Sequence, residues 1–364
     1  MKRLSLTQLF IAFATFCNAQ MGGSNVFEIL NLPATAKVAG VGGYNVSMNS
    51  GDPGIGYFNP SIIDSTYKNN IGSGWGALFM DMTDISFGYA SYANRYKQYN
   101  IAANLVMVNY GKIDAMDEMG NHIGTEVASE YVLSLGASEE INKWLTWGMS
   151  AKPIMSYIAN YSSYALAGDI GLTMHDSLRN TNLALVARNV GYQIKPYYTG
   201  SREKLPFELD LGYTKKFDHA PFRFSVTYRH LQQFNLSYTS TLQSNNVAFI
   251  ADTTNTSGSK ISDIATKLIQ HFIFGVDILF GKRFYVSFGY NVKRKNELKT
   301  ASNGGLVGMT YGAGLKISKF TLGFAHQKYN ITGGATTFTM LFNLSDVMDP
   351  FIKKRSAQQR IEAN

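Results

Sequence analysis

The sequence predicts an all-β fold: a transmembrane antiparallel β-barrel of about fourteen strands, preceded by an N-terminal plug segment. Three observations predict it. First, residues alternate strictly between oily and polar from Phe207, with Phe207, Leu209, Leu211 and Tyr213 on one face and Glu208, Asp210, Gly212 and Thr214 on the other. After the short Phe217-Asp218-His219-Ala220-Pro221 connection the pattern resumes, with Phe222, Phe224, Val226 and Tyr228 against Arg223, Ser225, Thr227 and Arg229. Successive strand side chains point to opposite faces, so this is a hairpin with one apolar and one charged face. Second, the same period recurs along most of the chain. Third, a secretory leader precedes it.

Composition agrees. The 364 residues hold 22 Tyr, 23 Phe and 34 Gly but only 16% charged residues, which suits aromatic-girdled strands better than helices. Mean hydropathy is −0.10, and past the leader no apolar run is long enough for a membrane helix. Strands with one watered face escape that test.

The leader is Met1 to Ala19. Lys2 and Arg3 form its charged start, Leu9 to Phe16 its apolar stretch, and Cys17-Asn18-Ala19 the small-residue cleavage site. A lipoprotein reading would use Cys17, but Ala14-Thr15-Phe16 fits a lipobox poorly. Cys17 is the sole cysteine, so the mature chain is expected to hold no disulfide, thiolate metal site or Cys nucleophile. The net charge of +8 fits anionic membrane surfaces, or merely soluble loops, better than nucleic acid in an exported protein.

Residues 20–69 alternate poorly and carry turn signals: Asn31-Leu32-Pro33, Gly40 to Gly43, Asp52-Pro53-Gly54 and Asn59-Pro60-Ser61. They are expected to plug the barrel or lie across its mouth. The barrel is expected over 70–345, with strands at Asn70–Met80, Asp84–Arg95, Tyr99–Tyr110, Glu126–Ser138, Lys143–Tyr157, Tyr164–Met174 and Thr181–Val190. The hairpin supplies the next two. Phe272–Phe280, Lys282–Arg294, Leu306–Ile317, Phe320–Tyr329 and Ala335–Leu344 complete the set. Pro153 predicts a bulge or a strand end. Connection lengths provide an independent check. The even-to-odd connections are all short, whereas the long ones, Gly111–Thr125, Gly191–Leu205, Asn235–His271 and Lys295–Gly305, all fall at odd-to-even positions, as a barrel with both termini on one side requires. In the 235–271 insertion, Ile261, Ile264, Ala265 and Leu268 recur at helical spacing, either as a docking element or as a helix folded onto the rim. Residues 346–364 are expected to form a basic periplasmic tail.

Nothing in the sequence proposes catalysis. Ser65-Thr66-Tyr67-Lys68 and Ser257-Gly258-Ser259-Lys260 match S-x-x-K without the helical context or partner motifs that the chemistry needs. His122, His175, His219, His230, His271 and His326 form no metal-binding pair, and Gly40-Val41-Gly42-Gly43 lacks dinucleotide spacing. No cofactor or metal is expected. The informative residues are the charges expected in the lumen: Glu126, Glu130, Lys152, Asp169, Arg188, Glu208, Asp210, Arg223, Arg229, Asp277 and Lys293. They could form a salt-bridge lattice filling a narrow barrel or line a polar channel. Mixed signs favour the lattice, since a selectivity ring would be of one sign. Arg229 falls opposite Glu208 or Asp210 in either register of the hairpin.

The chain resembles the PorQ family of the Bacteroidetes type IX secretion system, relatives of PorV and, more distantly, of FadL-type barrels. The resemblance spans nearly the whole mature chain. Its carriers are the stretch from Gly22-Gly23-Ser24 to Asn31-Leu32-Pro33; Asn59-Pro60; Asn109-Tyr110-Gly111-Lys112; Arg188-Asn189-Val190-Gly191; Arg202-Glu203-Lys204-Leu205-Pro206-Phe207; and Ala220-Pro221-Phe222-Arg223-Phe224. It implies a FadL-like barrel of the outer membrane with no enzymatic role. The implied partners are PorZ-like, PorV-like and PorU-like members of a surface attachment complex that processes cargo and links it to lipopolysaccharide. The sortase chemistry would belong to the PorU-like partner. Outer-membrane lipid and anionic lipopolysaccharide are further expected contacts. The competing readings are a FadL-like uptake channel for hydrophobic small molecules and, with least support, a membrane-embedded enzyme.

Overall fold

Fourteen strands follow one another around a closed antiparallel barrel, and β1 completes the circle by pairing with β14. The computed structural model describes residues 25–348, apart from 34, 80–82, 199, 201, 234–266, 282, 299–305 and 331–332. The leader, most of the 235–271 insertion with its helical spacing, the second S-x-x-K and nearly all of the tail lie outside the described residues.

The strands are β1 (Asn70–Leu78), β2 (Ser86–Tyr96), β3 (Tyr99–Met116), β4 (His122–Asn142), β5 (Leu145–Ile158), β6 (Tyr161–Asp176) and β7 (Thr181–Lys195). On the other side are β8 (Glu208–Lys216), β9 (Phe222–Tyr228), β10 (Phe272–Phe280), β11 (Phe284–Asn291), β12 (Met309–Ile317), β13 (Phe320–Lys328) and β14 (Gly334–Asn343). The end where β1 begins and β14 ends is called the base, and the other the rim. Base connections are tight turns. The longer connections all lie at the rim, as the parity argument expected.

The alternation becomes an inverted protein. Leu105, Leu133, Leu135, Ile170, Leu185 and Phe288 point outward and are exposed, whereas Asn104, Ser134, Asp169, Thr227 and Gln327 point inward and are buried. A continuous exposed apolar belt of this size is untenable in water and suits a lipid bilayer. The strand wall is therefore membrane-spanning.

Beyond shifts of a few residues at strand ends, the structure departs from the expected elements in four places. Gly111–Thr125 is not a loop: a bulge between Asn109 and Lys112, with Gly111 at φ +78°, lets β3 and β4 continue as a ribbon that turns at 117–121. β7 likewise runs through 191–195. Pro153 neither bulges nor ends β5, because its ladder with β6 runs unbroken through Pro153 opposite Leu166. Its missing N–H falls on the β4 side, where Val132 pairs with Ile154 and the next pair is Leu135 with Ala151. Lastly, the end of the expected eleventh strand is helical: α2 spans Val292–Leu298.

The described residues between 25 and 69 lie inside the barrel and are almost wholly buried. The helix α1 (Ala36–Gly40) is capped by Thr35, whose Oγ1 accepts the Val38 N–H, and it rests on β12 and β13. Short 3-10 turns at Pro53–Tyr57 and Pro60–Ile62 rest on β2, β3, β5 and β6. Plug side chains, including Leu30, Tyr44, Ile55, Phe58 and Tyr67, supply one side of the hydrophobic core. Inward wall residues such as Phe87, Tyr89, Val106, Val132, Ile154 and Val186 complete it, so the core lies between plug and wall.

Candidate functional site

Among the described residues, three buried ionic clusters join plug and wall. Each uses wall charges together with at least one plug group.

The first sits where β7, β8 and the end of β9 meet. Arg188 donates to the Tyr44 hydroxyl at 2.5 Å and to the Leu30 carbonyl at 2.8 Å, and its guanidinium lies 3.6 Å from Glu208. Arg229 grips Glu208 with Nε at 3.0 Å and Nη2 at 2.5 and 2.6 Å. The Tyr44 hydroxyl in turn donates to Asp210. The Tyr44 ring carries the Arg229 guanidinium 4.0 Å above its centroid. The plug tyrosine is therefore gripped from both ends of its side chain.

The second joins β5, β6 and β7. Lys152 and Asp169, both 0% exposed, pair at 2.6 Å. Lys152 also donates to the Tyr57 carbonyl of the plug at 2.8 Å, and Asp169 accepts the Asn189 N–H at 2.9 Å. The third uses Lys37 of α1. It pairs with Asp277 at 2.6 Å, while Arg223 binds the other carboxylate oxygen at 2.7 Å and donates to the Asn49 carbonyl at 3.1 Å.

Between these clusters plug and wall touch backbone to backbone. A Cβ at Gly289 would lie 2.0 Å from the Gly42 N and one at Gly148 2.7 Å from the Ser61 N. Only glycine permits this approach.

Of the expected lumen charges, eight enter these clusters: Lys152, Asp169, Arg188, Glu208, Asp210, Arg223, Arg229 and Asp277. Glu130 is buried but apart, accepting from Tyr110 at 3.1 Å and Ser156 at 3.1 Å. Two fall elsewhere. Glu126 sits on the ribbon above the closed wall, opposite Ile113, because β5 ends at Ile158 opposite Ala128. Lys293 lies in α2 and faces Glu297 at 3.8 Å, because the chain leaves the sheet after Asn291. Sequence reasoning missed the plug's own members, Lys37, Tyr44 and the Tyr57 carbonyl. Period-2 alternation marks strand faces only, so it gave no signal in 20–69.

Among the described residues no group of His, Cys, Asp or Glu could hold a metal. Ser65 of the first S-x-x-K starts a 3-10 turn capped by Asp64, and its N–H donates to Glu140 at 3.2 Å. Gly42 and Gly43 end α1 with φ of +106° and +83°. Both motifs do structural work.

A cleft of 370 Å³ opens beside β7, lined among others by Asn189, Tyr192, Gln193, Arg202, Lys204 and Phe207.

No protein-family model and no curated protein matches the chain. Among solved structures, it is similar to the toluene transporter TodX of Pseudomonas putida, with a TM-score of 0.45, 11% identity and coverage of 84% of this chain and 96% of that one. It is also similar to a FadL homologue of Pseudomonas aeruginosa, with a TM-score of 0.47, 8% identity and coverage of 85% and 98%. The barrel stands on its own closed ladder of strand pairs rather than on these overlaps.

Proposed function

We propose that the chain is a non-enzymatic outer-membrane barrel of the type IX secretion system. In this reading it anchors or helps assemble the surface complex that processes secreted cargo and links it to lipopolysaccharide. The observation that carries the reading is the filled lumen. Three ionic clusters and direct backbone contact hold the plug across it, so a solute could pass only after the plug had left its charges unpaired. A barrel closed in this way works at its surface. The resemblance of the Arg188–Gly191 and Arg202–Phe207 stretches to PorQ-like chains supplies the particular system, with PorZ-, PorU- and PorV-like proteins as partners. The rim offers the β3–β4 ribbon as a contact surface, and the 235–271 insertion is the first place to seek a partner contact.

The test is an affinity pull-down of the tagged protein from its native outer membrane in mild detergent, with mass spectrometry of what accompanies it. Recovery of a surface protease-like or PorZ-like protein, lost when 235–271 is trimmed, is the expected result. A barrel without protein partners, carrying a hydrophobic small molecule, sinks the reading.

That outcome would favour a second reading, a channel for hydrophobic small molecules, of the kind TodX provides for toluene. The cleft beside β7 is the observation on its side. Under that reading, trimming 235–271 leaves uptake intact.

A further inference from the structure

Two of the sequence signatures meet at one place in the wall. β7 ladders with β8 only from Thr181 to Arg188. From Val190 to Lys195 it ladders with β6 alone. Among the described residues its other edge, toward the rim, has no strand beside it. The chain from Arg202 to Phe207 crosses next to this bare edge, held off it by side chains. Asn189 Nδ2 donates to the Pro206 carbonyl at 2.9 Å, and the Glu203 N–H donates to Gln193 Oε1 at 2.9 Å. The cleft of 370 Å³ lies between edge and crossing chain.

The notch is built rather than accidental. Asn189 sits at φ +55°, and the ladder between β6 and β7 shifts register between Gly168 and Ile170, which marks a bulge. A Cβ on Gly191 would lie 2.1 Å from the Leu166 carbonyl oxygen, so a glycine is required for β7 to pass β6 this closely. The start of the plug secures the crossing chain, with the Val26 N–H donating to the Lys204 carbonyl at 3.1 Å.

The two sides of the cleft differ in chemistry. Its outer lip is apolar and faces the membrane: Val190 is 52% and Tyr192 62% exposed. Its other side carries Arg202 and Lys204, neither of which has an ion pair among the described residues, with Glu203 the one carboxylate lining the cleft. Cations exceed anions, and they stand beside an apolar wall. A bare strand edge in a membrane wall also leaves N–H and C=O groups that hydrocarbon cannot satisfy.

We propose that this cleft holds an acidic, phosphate-bearing membrane lipid, with its phosphate on Arg202 and Lys204 and its acyl chains along Val190 and Tyr192. A neutral hydrocarbon would make no use of the two cations, which are exposed and would stay solvated by water. A free anion would leave the apolar lip without a partner. The lipid completes the wall where β8 stops short. The proposal goes beyond both functional readings and depends on neither.

The test uses the full chain, stripped of lipid in detergent and titrated in native mass spectrometry. Phosphatidylglycerol is compared with phosphatidylcholine of the same acyl chains and with inorganic phosphate. Phosphatidylglycerol is expected to bind preferentially, and R202Q/K204Q is expected to weaken it by about tenfold while leaving heat-modifiability on gels unchanged. Equal retention of both lipids, an unaffected double variant, or displacement of phosphatidylglycerol by equimolar inorganic phosphate would each overturn the proposal. Should the double variant fail to fold, photoactivatable phosphatidylglycerol on the unaltered protein decides. Crosslinks within 190–207 support the site, and crosslinks confined elsewhere refute it.

Discussion

Replacing Lys152 with alanine should be among the most damaging single changes in this barrel. The Lys152–Asp169 pair is 2.6 Å long, with both side chains 0% exposed. Removing the lysine strands a carboxylate between plug and wall and deletes the bond to the Tyr57 carbonyl. Asp169 keeps the Asn189 N–H and the Ser150 hydroxyl, at 2.9 and 3.1 Å, but these neutral donors do not replace an ammonium. Breaking one side of a fully buried pair costs about 3–5 kcal/mol. Replacing both sides with apolar residues of similar volume is often neutral or stabilising by about 1–4 kcal/mol. Lys152→Ala is therefore expected to lower stability by about 3–5 kcal/mol, and Lys152→Met with Asp169→Leu to recover only part of the loss, because the Tyr57 carbonyl and the Asn189 N–H lose their partners. Urea unfolding in lipid vesicles, followed by the fluorescence of Trp75, Trp144 and Trp147, measures both. A loss below about 1 kcal/mol, the range of an exposed pair, would show that water reaches the site and refute the reasoning.

Three further outcomes are expected. Gly289→Val, whose Cβ would lie 2.0 Å from the Gly42 N, should keep the plug from seating without breaking the strand. Limited trypsin digestion should then cut at Lys37 in the variant but not in the wild type. Burial pushes the Asp52 carboxyl up to about 6 despite the bond it accepts from the Gly54 N–H. A folded pKa above the unfolded value means the folded state binds more protons, so stability falls as pH rises between about 4 and 6, by about 3 kcal/mol in all. Asp52→Asn should flatten that slope, and unfolding midpoints at pH 4, 6 and 8 would show it. Arg229→Ala, which uncovers Glu208 and removes the cation above the Tyr44 ring, should cost about 3 kcal/mol or more. Arg229→Lys should rescue only part of this, because one ammonium cannot reproduce the fork of contacts to both carboxylate oxygens; thermal melts rank the three proteins.

Much of the barrel is legible in the sequence because strand alternation is a local signal. β10 spans the residues expected of it, Phe272–Phe280, and the hairpin of β8 and β9 carries the expected faces. The parity of short and long connections places the two ends without any contact information. What stays hidden depends on neighbours. The bulge at Asn109 continues β3 and β4 through a stretch rich in turn residues, and alternation cannot see across a bulge. Pro153 passes as strand because the adjacent strand, not the proline, decides whether the lost N–H matters. The wall charges are legible as inward-facing, and the register puts Arg229 one residue past the ladder that pairs Tyr228 with Leu211. Their partners Lys37 and Tyr44 are not, because the plug has no period to read.

The most direct measurement is conductance of the purified full chain in planar bilayers, beside a variant lacking residues 25–69. A lumen held shut by buried ion pairs predicts a silent wild type and steady ohmic steps from the deleted form. Persistent steps from the wild type under the same voltages would contradict the account, because a path would then exist past Lys37, Tyr44 and Tyr57 with their partners in place.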